Sequence, residues 1–407
     1  MSLPRGSDCT IPQIGAGIWV DPLPPAPGRV ILVPMGEGNS RDARILRVGT
    51  LTESHHWDGT VAVSPGERLL ASVVAGPYQP TDDSRPDRVR LARVGEAPAA
   101  QPAEVQFVAF APDDEGVDAL IEAMSKGDID VAVEIPPDAV ETIEGATLHD
   151  AVGASTAGLF LNARSKRVTT LRARQALASA VDHAEFAAVA NGGRRDLGTD
   201  RLLPPSMDGR AAADPAALVF DPQHAAAQLK AEGLSSAELT MVIPWGPRPY
   251  MSDPWAAGEA IADALAEVGV GVGIVPADSP QTALDRALDG DYDIFLAGWI
   301  ADDADPAAFL TALLDSRAIP GEGGFASPLC CNLGRLSDPA VDAALAVART
   351  TCNPTTLRAV EDLAAAHSVA IPLCHGAAMS VVGPRVRSIK MLADGLPDLL
   401  TVEMHGA

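Results

Sequence analysis

Residues Tyr292–Pro306 have the sequence YDIFLAGWIADDADP. The apolar run within this segment is short and is bounded by turn-forming residues, which indicates a buried β-strand. Trp299 and the acidic residues Asp302, Asp303 and Asp305 lie at the end of this run or just after it, so we expect them where a strand leaves its sheet. In open α/β sheets, ligands bind at that edge. The segment is therefore the first candidate for a binding site.

Two interpretations of the acidic stretch stay open on spacing alone. An aromatic ring beside a carboxylate cluster suits a cationic or amine-bearing ligand, because both attract positive charge. Alternatively, the acids form a solvated loop before a helix, in which Asp305 is the N-cap and Pro306 occupies the first helical position.

Composition limits the class of protein. A chain of 407 residues that is 47% hydrophobic is expected to be globular and to form two lobes or domains. Its formal net charge of -24 argues against nucleic-acid partners and against adsorption to anionic lipid. The charge identifies no partner, since excess acid also serves solubility.

The cysteines do not have the spacing of a metal site. They are Cys9, Cys330, Cys331, Cys352 and Cys374, without a C-x-x-C pair or a matching histidine pattern. We therefore expect no structural zinc and no other cofactor. Cys330 or Cys331 can pair with Cys352 in an oxidising compartment, or all can be unpaired small core residues.

Two further groups of polar residues contain side chains typical of functional sites. His55, His56 and Asp58 offer three metal ligands on one loop without a visible fourth, so we interpret them as ordinary loop residues. Asp182 and His183 suggest acid–base chemistry, but we expect them to cap and solvate a helix end.

The periodicity of the chain predicts an α/β protein. Strands are predicted at 45–51, 89–94, 104–110, 129–133, 158–162, 239–243, 270–275 and 371–382, besides the strand of the opening segment. Helices are predicted at 116–125, 136–143, 171–190, 223–232, 254–267, 280–288, 307–314, 339–349 and 354–365. Residues 1–40 are rich in proline and glycine and have no clear assignment.

Membrane and export signals are not visible in the sequence. No apolar run approaches the roughly 18 residues of a spanning helix. The first twelve residues lack a charged start followed by an apolar block, as a signal peptide would have. The protein is therefore cytoplasmic, or its export signal lies outside this chain.

Several blocks of the second half occur in a characteristic order. They are LFLN at 159–162, LRARQALASAVDH at 171–183, FDPQHAAAQL at 220–229, LAEVGVGV at 265–272, GDYD at 290–293 followed by the GW pair and Asp302, LSDPAVD at 336–342, and IPL at 371–373. This ordered set resembles the family 5 extracytoplasmic solute-binding proteins, which capture oligopeptides, dipeptides and nickel for ABC importers.

Upstream blocks resemble the same family, with a gap. GPY at 76–78 and KGDID at 126–130 are similar to family blocks, and LRVG at 46–49 is similar to the opening strand. Family members place a long stretch, including an extra subdomain, between that strand and GPY, whereas only 26 residues, 50–75, intervene here. The chain therefore resembles a shortened member.

The resemblance implies a fold and a domain organisation. The expected fold is α/β and two-lobed, like the periplasmic binding proteins of class II (peptide-binding type), with a hinge and a central cleft that closes on its ligand. The first lobe would comprise 1–158, the second 159–375, and residues 376–407 would return to the first lobe.

The resemblance also implies roles for residues of the opening segment. Asp302, with Asp303 beside it, would pair with the N-terminal ammonium of a peptide. Trp299 would supply an apolar wall or a cation–π face.

The loop at 244–252 would line the same cleft with Trp245, Arg248 and Tyr250. Arg248 is the best candidate for binding a ligand carboxylate, because its planar guanidinium suits two oxygens. The alternative is an ordinary surface arginine.

The function implied is that of a solute-binding receptor for an ABC importer, not an enzyme. It would capture a small peptide or related amine-bearing solute outside the cytoplasm, at the cell surface or in the periplasm, and pass it to a membrane permease. One alternative is a shortened, repurposed cytoplasmic member that senses a ligand or binds another protein. The other is an enzyme that uses Asp302 and Asp303 as an acid–base pair, which no nucleophile or oxyanion motif supports.

Overall fold

A computed structural model of the chain describes most of the residues after position 43. The described residues are 44–51, 65–85, 87–98, 100–111, 114–133, 135, 146–207, 220–244, 246, 248–277, 280–301, 305–321, 331–392 and 395–405. The unassigned region 1–40, the predicted helix at 136–143 and the His55, His56 and Asp58 group lie outside these residues.

The described residues form twelve β-strands and ten α-helices. The strands are β1 Ile45–Leu51, β2 Tyr78–Pro80, β3 Arg88–Arg93, β4 Glu104–Phe110, β5 Val131–Val133, β6 Thr147–Leu161, β7 Glu238–Ile243, β8 Gly271–Pro276, β9 Ile294–Ile300, β10 Ala370–Val382, β11 Val386–Met391 and β12 Pro397–Met404. The helices are α1 Pro65–Val74, α2 Asp114–Lys126, α3 Leu171–Ser179, α4 His183–Ala190, α5 Pro222–Ala231, α6 Pro254–Glu267, α7 Pro280–Asp289, α8 Pro306–Leu314, α9 Pro339–Thr351 and α10 Pro354–His367.

Ten of the strands form one mixed sheet, and two long strands join its halves. The order is β2-β3-β4-β1-β5-β10-β6-β9-β7-β8, while β11 and β12 form a separate hairpin. Strands β6 and β10 are antiparallel partners from Phe160 opposite Ala370 to Thr147 opposite Val382. One end of β10 also pairs with β5, and one end of β6 also pairs with β9. The two strands therefore carry the chain from one half of the sheet to the other.

The half of the sheet around β6, β7 and β9 is buried on both faces. Leu159 and Leu161 belong to one apolar cluster and Phe160 to another, as expected when successive side chains point to opposite faces. Helices α3–α6 contribute to the first cluster and α8–α10 to the second. Strands covered on both faces become nearly continuous apolar runs, which explains the composition of β9.

The other half of the sheet has its own clusters on both faces. Val131 and Val133 of β5 pack with helix α1 and the β11–β12 hairpin, while Ala132 packs with helix α2. The molecule is thus a two-lobed α/β protein, which confirms the predicted fold class. The predicted lobe boundaries at 158 and 375 fall inside β6 and β10 and stay a prediction.

Two element predictions were wrong in their extent. The short strand predicted at 158–162 is the end of β6, which begins at Thr147, because pairing with β10 extends the strand through a stretch without an apolar run. The single helix predicted at 171–190 is two helices, because Asp182 has an extended backbone and its carboxylate accepts hydrogen bonds from the amides of Ala184 and Glu185. Asp182 is thus an N-cap, as expected.

Of the two possibilities left open for the cysteines, the structure does not show the disulfide, because neither Cys331 nor Cys352 is disulfide-bonded. Cys331 is buried in an apolar cluster, whereas Cys352 is exposed and caps the C-terminal end of α9 in a left-handed conformation. Their different positions explain why they do not meet. Cys330 lies outside the described residues.

No helix among the described residues is both long and apolar enough to cross a membrane.

Candidate functional site

The candidate site lies at the carboxyl edge of the β7–β9 part of the sheet. Strands β7 and β9 are parallel, so the loop after Ile243 and the segment after Ile300 leave the sheet at the same edge. The loop holds Arg248 and Tyr250, and the segment after β9 leads through Ala301 to Asp305. Parallel pairing therefore brings the loop at 244–252 and the segment after Ile300 to one edge of the sheet.

The segment after β9 ends in a capped helix. The Asp305 carboxylate accepts a hydrogen bond from the Ala307 amide at 2.9 Å, and Pro306 occupies the first turn of α8. This confirms the capping role predicted for Asp305. Asp302 and Asp303 lie outside the described residues, as does Trp245, so their roles stay predictions.

Trp299 is buried at the end of β9. Its position pairs with Thr156 of β6, and only 6% of its surface is exposed. The side chain belongs to the apolar cluster that also contains Leu202 and Phe309. Trp299 is thus packed as a core side chain, and its role toward a ligand stays a prediction.

Arg248 and Tyr250 are held in one tight turn. The Arg248 amide donates to the Met251 carbonyl at 2.8 Å, and the Met251 amide donates back to the Arg248 carbonyl at 2.9 Å. Tyr250 is 5% exposed, whereas Arg248 is only partly buried. The turn thus anchors a buried tyrosine and presents an arginine beside it.

The two side chains of this turn also interact. Burial raises the pKa of Tyr250, and the charge of Arg248 together with a hydrogen bond between the two side chains opposes that rise. The phenol therefore stays neutral at physiological pH and serves as a hydrogen-bonding partner for the guanidinium.

The structure also shows a polar pair that the sequence did not indicate. The Thr156 hydroxyl donates to the Leu202 carbonyl at 2.7 Å and lies 2.9 Å from His375 Nδ1. Because a hydroxyl has one proton to donate, this arrangement requires His375 Nδ1 to carry the hydrogen and donate to Thr156. His375 is 3% exposed and lies at a register shift between β10 and β6. The pair therefore joins both long strands to the loop that contains Leu202.

Other polar candidates do not join this site. Burial lowers the pKa of His183, which begins α4 immediately after the Asp182 cap. Within the part of the chain that the structure describes, no three histidine, cysteine, aspartate or glutamate side chains cluster in a way that could hold a metal ion.

Comparison with known families identifies the family of this chain. A model described as bacterial extracellular solute-binding proteins, family 5, middle part, matches residues 60–321. The chain belongs to this family. The match covers well over half of the chain, including the whole of β6 and the whole of β9.

Individual family 5 relatives match only parts of the chain. The peptide transport periplasmic protein SapA of Salmonella typhimurium is 35% identical over 108 residues, which are 26% of this chain and 19% of SapA. A dipeptide-binding protein of Escherichia coli is 31% identical over 175 residues, which are 42% of this chain and 32% of that protein. The chain thus aligns with about a fifth to a third of the length of these curated relatives.

Solved structures with the family 5 fold match more of the chain. HbpA2 from Haemophilus parasuis superposes with a TM-score of 0.66 and 20% identity, over 81% of this chain and 64% of that one. A dipeptide binding protein from Pseudoalteromonas sp. SM9913, in complex with Met-Leu, superposes with a TM-score of 0.63 and 19% identity, over 81% and 64% of the two chains. At these identities the likeness shows the fold.

Proposed function

We propose that this chain is the solute-binding receptor of an ABC importer and that it captures a small peptide or a related amine-bearing solute in the cleft between its lobes. The observation that carries the proposal is the Arg248–Met251 turn, which presents a guanidinium at the carboxyl edge from which the segment containing Asp302 also leaves. Family membership supports the receptor over the repurposed sensor and over the acid–base enzyme.

The two ends of a peptide match the two charges of the proposed site. Asp302 would pair with the N-terminal ammonium, with Asp303 adding negative potential, and Arg248 would bind the C-terminal carboxylate through two hydrogen bonds. Tyr250 would support the guanidinium, and Trp299 with Trp245 would form apolar walls. Closure of the lobes would exclude water and strengthen each of these contacts.

The proposed setting follows from the family. The receptor would act outside the cytoplasm, in the periplasm or at the cell surface, and would deliver its solute to an ABC permease in the membrane. Its role is binding and release, so the proposal needs no cofactor and no catalytic residue.

Native mass spectrometry of the purified protein tests this function directly. We expect a mixture of short peptides to be released by mild denaturation. An added peptide at 100 times its dissociation constant should increase the free energy of unfolding by about 2.7 kcal/mol. A protein without bound small molecules, and without a thermal shift in a peptide library, would favour the repurposed sensor or interaction module instead.

Replacement of Arg248 by glutamine should weaken the binding of peptides with a free C-terminal carboxylate by about 10- to 100-fold. This is the effect expected for the loss of one charge-assisted hydrogen bond. The same peptides with an amidated C-terminus should bind the variant and the unmodified protein equally well. Calorimetric titration with both peptide forms measures this, and Arg248→Lys, which keeps the charge, should lose less. A similar loss for the amidated form would contradict the carboxylate contact.

A further inference from the structure

The Arg248–Met251 turn presses against two strands at glycine positions. A Cβ atom at Gly298 of β9 would lie 2.7 Å from both Cε2 and Cζ of the Tyr250 ring. A Cβ atom at Gly376 of β10 would lie 2.4 Å from the Pro249 carbonyl oxygen. Both distances are far inside the roughly 3.5–4.0 Å of ordinary carbon contact. The turn can therefore occupy its position only because both residues lack a side chain.

The two contacts hold different parts of the same turn. Gly298 receives the ring of Tyr250, and Gly376 receives the backbone at Pro249. A third contact joins them, because the Cys374 thiol lies 3.7 Å from the Tyr250 carbonyl oxygen and donates to it. The ring and the backbone of the turn are thus fixed independently, which leaves the turn little freedom to shift.

Gly376 lies where β10 crosses between the halves of the sheet. It occupies the register shift between His375 and Ala377, opposite the part of β6 that contains Ser155. A glycine inside a strand often marks such a close backbone approach. The turn therefore rests on β10, one of the two long strands that join the halves of the sheet.

We propose that Gly298 and Gly376 are positioning residues that seat the Arg248–Met251 turn and thereby hold Arg248 where it selects ligands with a carboxylate. This inference rests on the proposed function, because it assigns the cause of the selectivity of the same site. The Tyr250 ring packs on Gly298. Because the Tyr250 and Arg248 side chains share a hydrogen bond, we expect a displaced ring to displace the guanidinium as well.

The test replaces Gly298, Gly376 and a matched control glycine by alanine. Gly376→Ala places its methyl group against the turn, and adding Ser155→Ala removes its other close contact, a Ser155 hydroxyl 2.3 Å away. Gly298→Ala is the second variant, although its methyl group also meets the Thr156 carbonyl at 2.4 Å. Gly273→Ala is the control, because Gly273 lies in β8 of the same sheet, outside the 244–252 loop, and its Cβ would meet its nearest atoms at ordinary distances of 3.6 and 3.8 Å.

The first readout is the ratio of affinities for a dipeptide with a free carboxylate and for its amide. We expect this ratio to fall about tenfold in Ser155→Ala/Gly376→Ala and in Gly298→Ala, through loss of the charge-assisted contact. It should be unchanged in Gly273→Ala and in Ser155→Ala alone. A merely structural role would weaken both peptide forms equally and leave the ratio unchanged, which would overturn the proposal.

The second readout needs no ligand. The Arg248 Nε–H signal in the NMR spectrum is assigned by its absence in Arg248→Lys. It should shift in Gly298→Ala, in Ser155→Ala/Gly376→Ala and in Tyr250→Phe but not in Gly273→Ala. If the signal does not move in folded Gly298→Ala or Ser155→Ala/Gly376→Ala protein, the two glycines do not position Arg248 and the inference is wrong. If the signal moves but the unmodified protein binds no peptide, the positioning role of the glycines is supported and the proposed function is refuted. Failure of the inference and failure of the proposed function therefore give different results.

Discussion

Replacing Asp302 by alanine should weaken binding of peptides with a free N-terminal ammonium by about 100-fold or more. Truncating one partner of a buried, hydrogen-bonded charge pair costs roughly 2–5 kcal/mol, and each 1.4 kcal/mol is tenfold in affinity. Much of that cost arises because the ammonium is then buried without a counter-charge. Calorimetric titration of one dipeptide against both proteins measures the loss.

The peptide itself provides the matched control for this charge pair. N-acetylation removes the ammonium, so the acetylated dipeptide should bind the unmodified protein far more weakly than the free peptide does. It should also lose little further affinity in Asp302→Ala, because the interaction is already gone. Asp302→Asn, of the same size but without charge, should resemble the alanine variant. Unchanged affinity of the free peptide for Asp302→Ala would reject the assignment.

Replacing Asp293 by alanine should decrease the free energy of unfolding by about 3 kcal/mol, as expected when a buried charged acceptor is removed. Asp293 is 2% exposed, accepts from the Thr240 amide at 2.9 Å and pairs with Arg167 at 3.1 Å. It also accepts a short hydrogen bond from the Ser165 hydroxyl. Its loss would leave the partly buried Thr240 amide of the neighbouring strand β7 without that acceptor.

Urea denaturation measures this change as a lower midpoint at an unchanged slope. Asp291→Ala is the matched control, because this residue lies two positions earlier in the same GDYD block and its side chain is 87% exposed. The control should stay within about 0.5 kcal/mol of the unmodified protein. An equal effect of the two substitutions would show that burial of Asp293 contributes nothing to stability.

The carboxylates of Asp293 and Asp302 differ in their roles, although both residues belong to blocks that resemble one family. Asp293 precedes β9 and bonds to the protein itself, so the structure gives it a role in stability. Asp302 follows β9, where its predicted role is toward a ligand. The likeness of a block to a family therefore does not by itself separate structural from binding residues.

Features that depend on neighbouring residues were predictable from the sequence. The helix predicted at 254–267 is α6, because Asp253 accepts a hydrogen bond from the Ala256 amide and Pro254 fits the first turn. Asp338 and Asn353 cap α9 and α10 in the same way. The apolar run of the opening segment is β9, because a strand covered on both faces needs apolar side chains throughout.

Features that depend on distant residues were not predictable in the same way. The first half of β6 carries no strand pattern and is a strand because it pairs with β10, more than 200 residues later. The hairpin of β11 and β12 and the helix α1 were likewise absent from the sequence prediction, and they pack together in one cluster. Pairing and burial against remote elements override weak local preference.

The sequence by itself determined the alternation of strands and helices, the ends of the capped helices and the family, because these follow from residues close together or from ordered blocks. Tertiary structure alone decided that the turn holding Arg248 rests on Gly298 and Gly376. Those contacts join residues 48 and 127 positions apart, counted from Tyr250 to Gly298 and from Pro249 to Gly376. A local sequence pattern cannot predict such a contact. A glycine indicates only that a side chain is absent, and it does not indicate which part of the chain fills the space.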